Sequence, residues 1–390
     1  MREEFLNEEL IMFQNSMREF LKHEVVPNHE EWEKDGHVPK DIWLKAGEND
    51  FLGIDVPEKY GGSGIDDFRY NSVVIEEVWR AGTTCLTFSV TNDLVIPYLL
   101  RYANEEQKER WFPKLCSGET ISALAMTEPS AGSDFAAIRT TAKLDGNHYI
   151  LNGQKTFITN GVTSDLVIVA CKTNPDAGHK GMSLLILERG MEGIERGKEF
   201  KKIGLKGQDT AELFFTDVKV PKENLLGQEN QGFYYMMKNL PQERMSIAVS
   251  ALAAIETVLD YTIEYCKERK AFGQPIGKFQ NSRFKLAEMK TEAEIGRIYI
   301  DDCIKKLNEK KLTAEQGAMA KWWASDLQVR VADQCLQLHG GYGYILEYPI
   351  ARAFADARIQ PIWGGTNEIM KEIIGRSLAV SYTHLTLPTI

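Results

Sequence analysis

The chain has 390 residues, enough for roughly two or three domains of ordinary size. Its composition, 43% hydrophobic and 26% charged, is typical of a folded protein and excludes a disordered or collagen-like chain. A net charge of −10 argues against a protein that binds the phosphate backbone of nucleic acid. The six cysteines include no C-x-x-C pair, so we expect free thiols in a reducing compartment and no bound metal.

Targeting and membrane signals are weak. The most apolar segment, residues 245–259, is interrupted by polar residues such as Glu256, so we expect a soluble protein without a membrane span. The N-terminus is acidic and lacks the apolar core of a signal peptide, which predicts a cytoplasmic location, or the mitochondrial matrix if a transit peptide has been removed. Residues 381–390 carry no Asp, Glu, Lys or Arg and no helical pattern, so we interpret them as a non-native tail.

The first third of the chain has the spacing of amphipathic helices, with apolar residues recurring every three or four positions. Helical patterns cover residues 5–25, 42–49, 70–81, 93–102 and 105–116. Turn-forming residues separate them, as in the Gly-rich stretch 57–64. Residues 1–120 are therefore predicted to form an N-terminal helical domain.

Between residues 121 and 225 the pattern changes to that of β-strands. Short β-rich runs occupy residues 166–170, 182–187 and 211–215. Tight turns are predicted at the Asp-Gly or Asn-Gly dipeptides 145–146, 152–153 and 160–161, because these residue types tolerate positive φ. The segment is predicted to be a small middle β domain, either a barrel or a sandwich.

Long helices return over residues 226–380. They are predicted at 241–270, 280–306, 313–338 and 368–378, which suggests a four-helix bundle. The second of them carries an apolar stripe formed by Ile295, Ile298, Tyr299 and Cys303. The chain is thus predicted to have an α+β multidomain fold, helical, then β, then helical. This order alone fits an enzyme, a binding module or a scaffold.

Five segments have residue types suited to ligand binding. They are residues 123–134, 153–161, 268–276, 336–344 and 360–369. In the first, small residues and Ser133 follow a strand, which lets backbone N–H groups approach an anionic ligand. Each segment also has an ordinary structural interpretation: Arg269 suits a helix C-terminus, His339 suits packing against a helix end, and Thr366 suits an N-cap. No G-x-G-x-x-G motif supports a Rossmann nucleotide site.

In this order and at these separations, the five segments resemble the acyl-CoA dehydrogenase family of flavoenzymes. The resemblance runs from about residue 5 to residue 378, nearly the whole chain. It implies a helical N-terminal domain, a middle β-barrel domain and a C-terminal four-helix bundle, usually in a homotetramer. This agrees with the organisation predicted from the periodicity.

The resemblance also implies that the chain binds FAD. The implied FAD-binding residues are Leu124, Met126, Thr127, Gly132, Ser133, Phe157, Ile158, Thr159, Arg269, Phe272, Gln280, Gln337, Gly340, Gly341, Thr366 and Glu368. Thr127 and Thr159 are expected at the flavin ring, and Ser133 at the pyrophosphate. Arg269, Gln280 and the turn 337–341 match residues that reach the FAD of a neighbouring subunit, so oligomerisation is expected to complete the site. Many members have Trp at position 157, where this chain has another aromatic residue.

The implied reaction is α,β-dehydrogenation of an acyl-CoA thioester, which requires a general base for the α-proton. Many members carry this Glu directly after the aromatic residue of the segment that here, at 362–366, reads Ile-Trp-Gly-Gly-Thr. The usual base is therefore missing at Gly364. A branch that includes long-chain and isovaleryl-CoA dehydrogenases instead places Glu at the start of the first bundle helix. This chain has Glu243 there, with Pro241 in the expected first turn, so the resemblance identifies Glu243 as the catalytic base.

The implied substrate-binding residues are Ser133, Arg244, Gly364 and Gly365. The backbone N–H of Gly364 is expected to polarise the thioester carbonyl, and the missing side chain suits long or branched acyl groups. The resemblance implies that electrons pass to an electron-transfer flavoprotein. Two alternatives stay open: an acyl-CoA oxidase, although those enzymes are typically longer, and a non-catalytic protein that binds flavin or CoA. A nitroalkane-oxidase-like enzyme would favour Asp over Glu243 as the base.

Overall fold

A computed structural model describes residues 5–379, in the order helical, β and helical. The interpretation of residues 381–390 as a non-native tail concerns a segment outside the described residues. Three hydrophobic cores correspond to the three parts, and a further cluster joins the last two N-terminal helices to the sheet.

The N-terminal part contains six α-helices. They are α1 (Glu8–Phe20), α2 (His29–Asp35), α3 (Lys40–Glu48), α4 (Phe68–Arg80), α5 (Ile96–Tyr102) and α6 (Glu105–Cys116). The predicted helices are confirmed, and α6 has the predicted bounds because Asn104 and Gln107 form a capping box at its start. Two of the predicted helices end or begin as π-helix, at Leu21–Val25 and Val90–Val95. Helix α2 was not predicted.

The middle part contains seven strands. They are β1 (Ser122–Ala125), β2 (Thr141–Asp145), β3 (His148–Thr159), β4 (Leu166–Lys172), β5 (Met182–Glu188), β6 (Ile194–Arg196) and β7 (Thr210–Pro221). They form one mixed sheet in the order β1-β4-β2-β3-β7-β6, with β5 paired to β4. Side chains from six of these strands meet in one core, as in the interior of a barrel. The opposite face of β4 and β5 packs on α5 and α6, so both strands are buried on both faces.

One predicted turn is wrong. The dipeptide at 152–153 lies inside β3, where the pairing with β7 shifts register. Gly153 has φ +146°, and a Cβ at this position would lie 2.7 Å from the Cα of Thr140. Glycine here thus serves a β-bulge and a close backbone approach, rather than a reversal of the chain.

The C-terminal part contains the long helices. They are α7 (Gly232–Glu268), α8 (Gln280–Asn308), α9 (Ala314–His339), α10 (Pro349–Ala357) and α11 (Asn367–Ala379), with a short hairpin of β8 (Lys270–Ala271) and β9 (Gln274–Pro275) after α7. Helix α7 begins at Gly232, nine residues before Pro241, so the prediction that Pro241 lies in the first turn is wrong. Proline lies inside α7, where it removes one helical hydrogen bond.

Helix α7 is the central element of the bundle and packs against α4, α8 and α9. It is the one described helix that is long and apolar enough to cross a membrane, but 67% of its most apolar window is buried inside the protein. This is the pattern of a core helix in a globular protein. In the predicted stripe of α8, Cys303 is buried, whereas Ile295 and Ile298 are exposed. The stripe therefore does not belong wholly to the core of the chain.

A buried ionic network joins the N-terminal helices to the bundle. The Arg297 guanidinium on α8 is 2.7 Å from carboxylate oxygens of Glu76 on α4 and Glu256 on α7. Arg80 contacts the same two carboxylates at 3.0 and 3.1 Å. The opposite charges raise the pKa of Arg297 despite its burial. The network fixes α4 against α7, which also carries the candidate base.

Candidate active site

Glu243 lies about three turns into α7 and is buried, with 7% of its surface exposed. The hydroxyl of Tyr98, on α5, donates a hydrogen bond of 3.0 Å to Oε1 of Glu243. Burial raises the pKa of Glu243 to about 7, although the Tyr98 hydrogen bond and the nearby Arg244 and Arg101 lower it. A carboxyl group with a pKa near neutrality is suited to accept a proton at physiological pH.

The position of Glu243 differs from the predicted one. Because α7 begins at Gly232, Glu243 does not lie in a first helical turn, and the helix dipole does not account for it. A carboxyl buried three turns inside a helix is not stabilised by the helix dipole. Its surroundings, rather than its place in the helix, determine its ionisation.

Gly364 lies against the same face of α7 as Glu243. A Cβ at Gly364 would come within 2.2 Å of Cδ1 of Ile247, which follows Glu243 by one helical turn. Gly364 also has φ +63°, a conformation that L-residues rarely adopt. The missing carboxylate at position 364 and the carboxylate present at position 243 are therefore neighbours in the folded chain.

The turn that carries Gly364 is fixed by a buried lysine. The Nζ of Lys321, on α9, donates to the carbonyl of Gly365 at 2.8 Å and to Oδ1 of Asn367 at 2.9 Å. Burial lowers the pKa of Lys321 to about 7, and the positive charge of Arg244 acts in the same direction. Thr366 precedes α11, and its hydroxyl accepts from the N–H of Ile369 at 3.4 Å, so the predicted N-cap is confirmed.

Arg244 offers an unused donor beside the base. It is buried, with 5% of its surface exposed, and its Nε makes no hydrogen bond within the described part of the chain. Burial lowers its pKa, whereas the charge of Glu243 raises it. A buried donor without a partner is costly, so this N–H is available to a bound ligand.

Two of the predicted flavin segments are held together by a buried ion pair. The Nζ of Lys155 donates to the carbonyl of Met126 and to Oε1 of Glu128, both at 2.9 Å. The backbone N–H of Thr156 donates to the carbonyl of Thr127 at 2.9 Å. Met126 packs in the same core cluster as Tyr98. This core connects the loop to α5, the helix whose Tyr98 contacts Glu243.

The predicted flavin-binding residues around this ion pair differ in how much of their surface is exposed to solvent. Met126 and Ile158 are buried and Leu124, Thr127 and Thr159 are half-buried, whereas Gly132, Ser133 and Phe157 are exposed. A Cβ on Gly132 would meet no atom within 4 Å, so the loop borders open space. Phe157 has φ +58° and its ring centroid lies 5.3 Å from that of Phe200. The loop thus presents hydroxyl groups, backbone and an aromatic face to the surface.

A second group of predicted residues lies at the end of the bundle. Arg269, Gly340 and Gly341 line a groove of about 460 Å³. The Arg269 guanidinium lies 5.4 Å from the centre of the Tyr342 ring, and Phe272 is 95% exposed. Gln280 and Gln337 are exposed on α8 and α9, whereas Glu368 is exposed at the start of α11, which packs beside Lys321 in the first half of α9.

The prediction that His339 packs against the helix end is confirmed. Its ring lies 4.2 Å from that of Tyr265, and its Nδ1 lies 2.8 Å from the Cys335 carbonyl oxygen. Arg269 is the C-cap of α7, as expected from its position after the helical pattern. No group of three or more His, Cys, Asp or Glu side chains is arranged to hold a metal ion within residues 5–379.

These features define a class of protein. A buried carboxyl with a near-neutral pKa and an arginine with an unpartnered Nε lie on α7, a glycine turn packs against this helix, and one core joins the region to a loop of small and hydroxylated residues. That combination fits an oxidoreductase that removes a proton next to a carbonyl and holds a flat, anionic cofactor.

The chain belongs to the acyl-CoA dehydrogenase family. Residues 7–119, 123–218 and 230–379 match the descriptions "Acyl-CoA dehydrogenase, N-terminal domain", "middle domain" and "C-terminal domain". The chain is 50% identical to the long-chain specific acyl-CoA dehydrogenase, mitochondrial, of Rattus norvegicus, over 94% of this chain and 86% of the relative. It is 38% identical to the isovaleryl-CoA dehydrogenase, mitochondrial, of Pongo abelii, over 97% and 90%.

A solved structure agrees with this assignment. The acyl-CoA dehydrogenase from Geobacillus kaustophilus superimposes with a TM-score of 0.95 and 49% identity, covering 96% of this chain and 99% of that chain. The predicted three-part fold is therefore confirmed, and the chain is an oxidoreductase of this family.

Sequence reasoning missed three residues of the site. Tyr98, Lys155 and Lys321 each contact a predicted residue or segment, but none was selected from the sequence. The available signal is weak: Tyr98 and Lys321 stand in otherwise small or apolar stretches of helix, where a polar group needs a buried partner. The sequence does not show which partner that is.

Proposed function

We propose that the chain oxidises acyl-CoA thioesters to trans-2-enoyl-CoA, with Glu243 as the catalytic base and FAD as the cofactor. The observation that carries this proposal is the buried Glu243, with a pKa near 7, on the face of α7 that meets Gly364. A base in this place compensates for the absent carboxylate in the turn at 362–366.

The residues present fit FAD. The open loop at Gly132 and Ser133, the hydroxyls of Thr127 and Thr159, and the exposed ring of Phe157 would hold the flavin end. Arg269, Gly340 and Gly341, which line the groove, would reach a cofactor of a neighbouring subunit together with Gln280 and Gln337. Thr366 and Glu368, at the start of α11, would close the site at the adenosine or pyrophosphate end. FAD, when bound, supplies the acceptor for the hydride that leaves the β-carbon of the substrate.

Glu243 has one carboxylate oxygen committed to the protein and one free of it. Oε1 accepts from Tyr98, whereas Oε2 makes no hydrogen bond within residues 5–379. Oε2 is therefore the oxygen that would take the α-proton. Burial raises the pKa of the carboxyl, which makes the carboxylate a stronger base than it is in water.

The substrate carbonyl needs a donor, because removal of the α-proton places negative charge on the carbonyl oxygen. The N–H of Gly364 donates to no backbone carbonyl of the described chain, and the turn is fixed by Lys321. We assign this N–H to the thioester oxygen. Arg244, with its free Nε, would favour the anionic state electrostatically.

The proposed substrates are long-chain acyl thioesters. Gly364 carries no side chain, and the atoms that a Cβ there would meet belong to the flexible end of Ile247. The relative with 50% identity is named as long-chain specific, whereas the isovaleryl enzyme shares 38%. Branched acyl-CoA thioesters are the competing class of substrate, and the titration described below distinguishes them from long-chain thioesters.

We also propose a homotetramer that passes electrons to an electron-transfer flavoprotein. Phe284, Ile295 and Ile298 are exposed on one face of α8 at spacings of about three turns and one turn, which suits burial by a second copy. All six cysteines are free and buried, as in a protein of a reducing compartment such as the cytoplasm or the mitochondrial matrix. Native mass measurement of the FAD-bound protein, with Ile298→Glu as the variant, tests the assembly.

The test of the function is an anaerobic titration of the FAD-bound protein with palmitoyl-CoA and with isovaleryl-CoA, following the absorbance of oxidised flavin. We expect palmitoyl-CoA to bleach the flavin of the wild type, and Glu243→Gln to abolish bleaching while the flavin stays bound. Glu264→Gln is the matched control, because Glu264 is exposed on the same helix and, among the described residues, pairs with Lys267 alone. Wild-type bleaching in Glu243→Gln would refute the base assignment, and no bleaching by either thioester would favour a non-catalytic protein.

A further inference from the structure

The hydroxyl of Tyr98 is the one described side-chain group that hydrogen-bonds the carboxylate of Glu243. Tyr98 is fully buried, so this hydroxyl has no access to bulk water. A hydrogen bond in such surroundings is stronger than it is in water, and it restricts the rotation of the carboxylate.

Tyr98 is held in place by its own helix. Helix α5 continues from the π-helical segment Val90–Val95, whose polar side chains are buried and each make at least one hydrogen bond, although Oδ2 of Asp93 has no partner in the described chain. Thr91 bonds to Ser122 on β1 at 2.8 Å, and the Asn92 side chain bonds to the carbonyl of Phe51 at 2.8 Å. π-Helical turns of this kind occur frequently at functional sites. The segment fixes the position of α5 against both the sheet and the N-terminal helices.

We propose that Tyr98 is a positioning residue for the dehydrogenation: its hydroxyl holds Oε1 of Glu243 so that Oε2 is the oxygen presented to the α-carbon of the substrate. This inference rests on the proposed function, since it assigns a role to Tyr98 only if Glu243 is the base. Tyr98 itself exchanges no proton with the substrate.

The hydrogen bond also has an electrostatic consequence. A donor to the carboxylate favours the ionised form, so Tyr98 lowers the pKa that burial raises. The other charged groups that face this region are Arg244 on α7, Arg101 on α5 and Lys321 on α9, which lies toward Arg244. Asp93, in the π-helical segment, faces Ser246 on the next turn of α7.

The experiment is the pH dependence of kcat/KM of the FAD-bound protein with palmitoyl-CoA. In Tyr98→Phe, we expect the acid limb to move about one pH unit upward, because a hydrogen bond to the charged form has been removed. The shift by itself makes the variant about tenfold slower than the wild type at pH 6, and the loss that persists at pH 9, where both carboxyls are ionised, measures the misplacement of Oε2. Incorporation of 3-fluorotyrosine at position 98 keeps the packing and strengthens the donor, so it should move the acid limb downward.

Tyr102→Phe is the matched control. Tyr102 lies one turn further along α5, and its buried hydroxyl has no hydrogen-bond partner in the described chain. Removing it should leave the pH profile unchanged.

The outcomes separate the two proposals. If Glu243→Gln is inactive but the Tyr98→Phe profile superimposes on that of the wild type, the role of Tyr98 is refuted and Glu243 remains the base. If Glu243→Gln retains full activity, the proposed function of Glu243 fails first. A uniform loss of activity at all pH values, with no downward shift from fluorotyrosine, would show a structural role only and would also overturn the proposal.

Discussion

Asp93 provides a sharp test of how burial controls ionisation next to the candidate site. It is 1% exposed, and burial raises its pKa from the ordinary 3.8 to about 7. The hydrogen bond from Asn71, at 2.8 Å, and the contact with Ser246 lower the pKa by less than burial raises it. The carboxyl of Asp55 nearby adds to the increase. Asp93→Asn removes the ionisable group and keeps the acceptor that Asn71 uses.

The effect on stability follows from the two pKa values. Below about pH 4, Asp93 is protonated in both the folded and the unfolded chain. Between pH 4 and pH 7 the unfolded chain loses this proton while the folded chain keeps it, so stability falls as pH rises. Above pH 7 the accumulated cost is on the order of 4 kcal/mol, at about 1.4 kcal/mol per pH unit. The substitution removes this cost only at pH values where the carboxyl of Asp93 is ionised in the unfolded chain.

We therefore expect Asp93→Asn to raise the unfolding temperature by about 5 °C at pH 8 and to change it little at pH 4. Thermal unfolding of the FAD-bound protein, followed by far-UV circular dichroism at the two pH values, measures the difference. Asp145→Asn serves as the control, because Asp145 is exposed at the end of β2 and should have the same small effect at both pH values. Equal changes for Asp93→Asn at pH 4 and pH 8 would refute the reasoning.

Three further experiments test the residues that hold the candidate site in place. Arg297→Leu leaves its buried carboxylate partners without their main counter-charge and should cost about 3–5 kcal/mol, seen as a lower unfolding temperature; an unchanged temperature would contradict this. Gly364→Ala strains a residue with φ +63° and presses on Ile247, so kcat/KM for palmitoyl-CoA should fall about tenfold. Adding Ile247→Ala should recover only the steric part of that loss. Lys155→Met leaves the buried Glu128 with its two backbone N–H donors but without its counter-charge, and should lower the flavin-to-protein ratio on purification. Full flavin content would show that the ion pair does not support the flavin loop.

Local patterns predicted most of the secondary structure. Helix α6 and the start of α9 have capping boxes, so their sequences contain both the helical periodicity and the signal for the first residue. The predicted strands β4 and β5 are runs of apolar residues buried on both faces, which is a strong and local signal. The sequence also contains the two facts that identify the branch of the family, a glycine at 364 and a glutamate at 243.

Two local signals were misleading. Asn152 and Gly153 are typical of a tight turn, but pairing with β7 on one side and β2 on the other keeps them inside a strand. Pro241 is typical of a helix start, but packing of α7 within the bundle extends the helix nine residues before it. In both places the free energy of tertiary packing exceeds a local preference of about 1–3 kcal/mol.

By itself, the sequence determined the order of the domains, and it predicted the segments of the candidate site and the residue proposed to replace the missing base. Only the tertiary structure decided how that residue behaves. Tyr98 and Glu243 are 145 positions apart, and no periodicity or spacing relates them. The pKa of Glu243 depends on the water excluded by the packed helices, and the closeness of Gly364 to α7 depends on a turn that Lys321 fixes from α9. Desolvation and contact between distant segments arise only when the chain is folded, because they depend on what surrounds a residue in space.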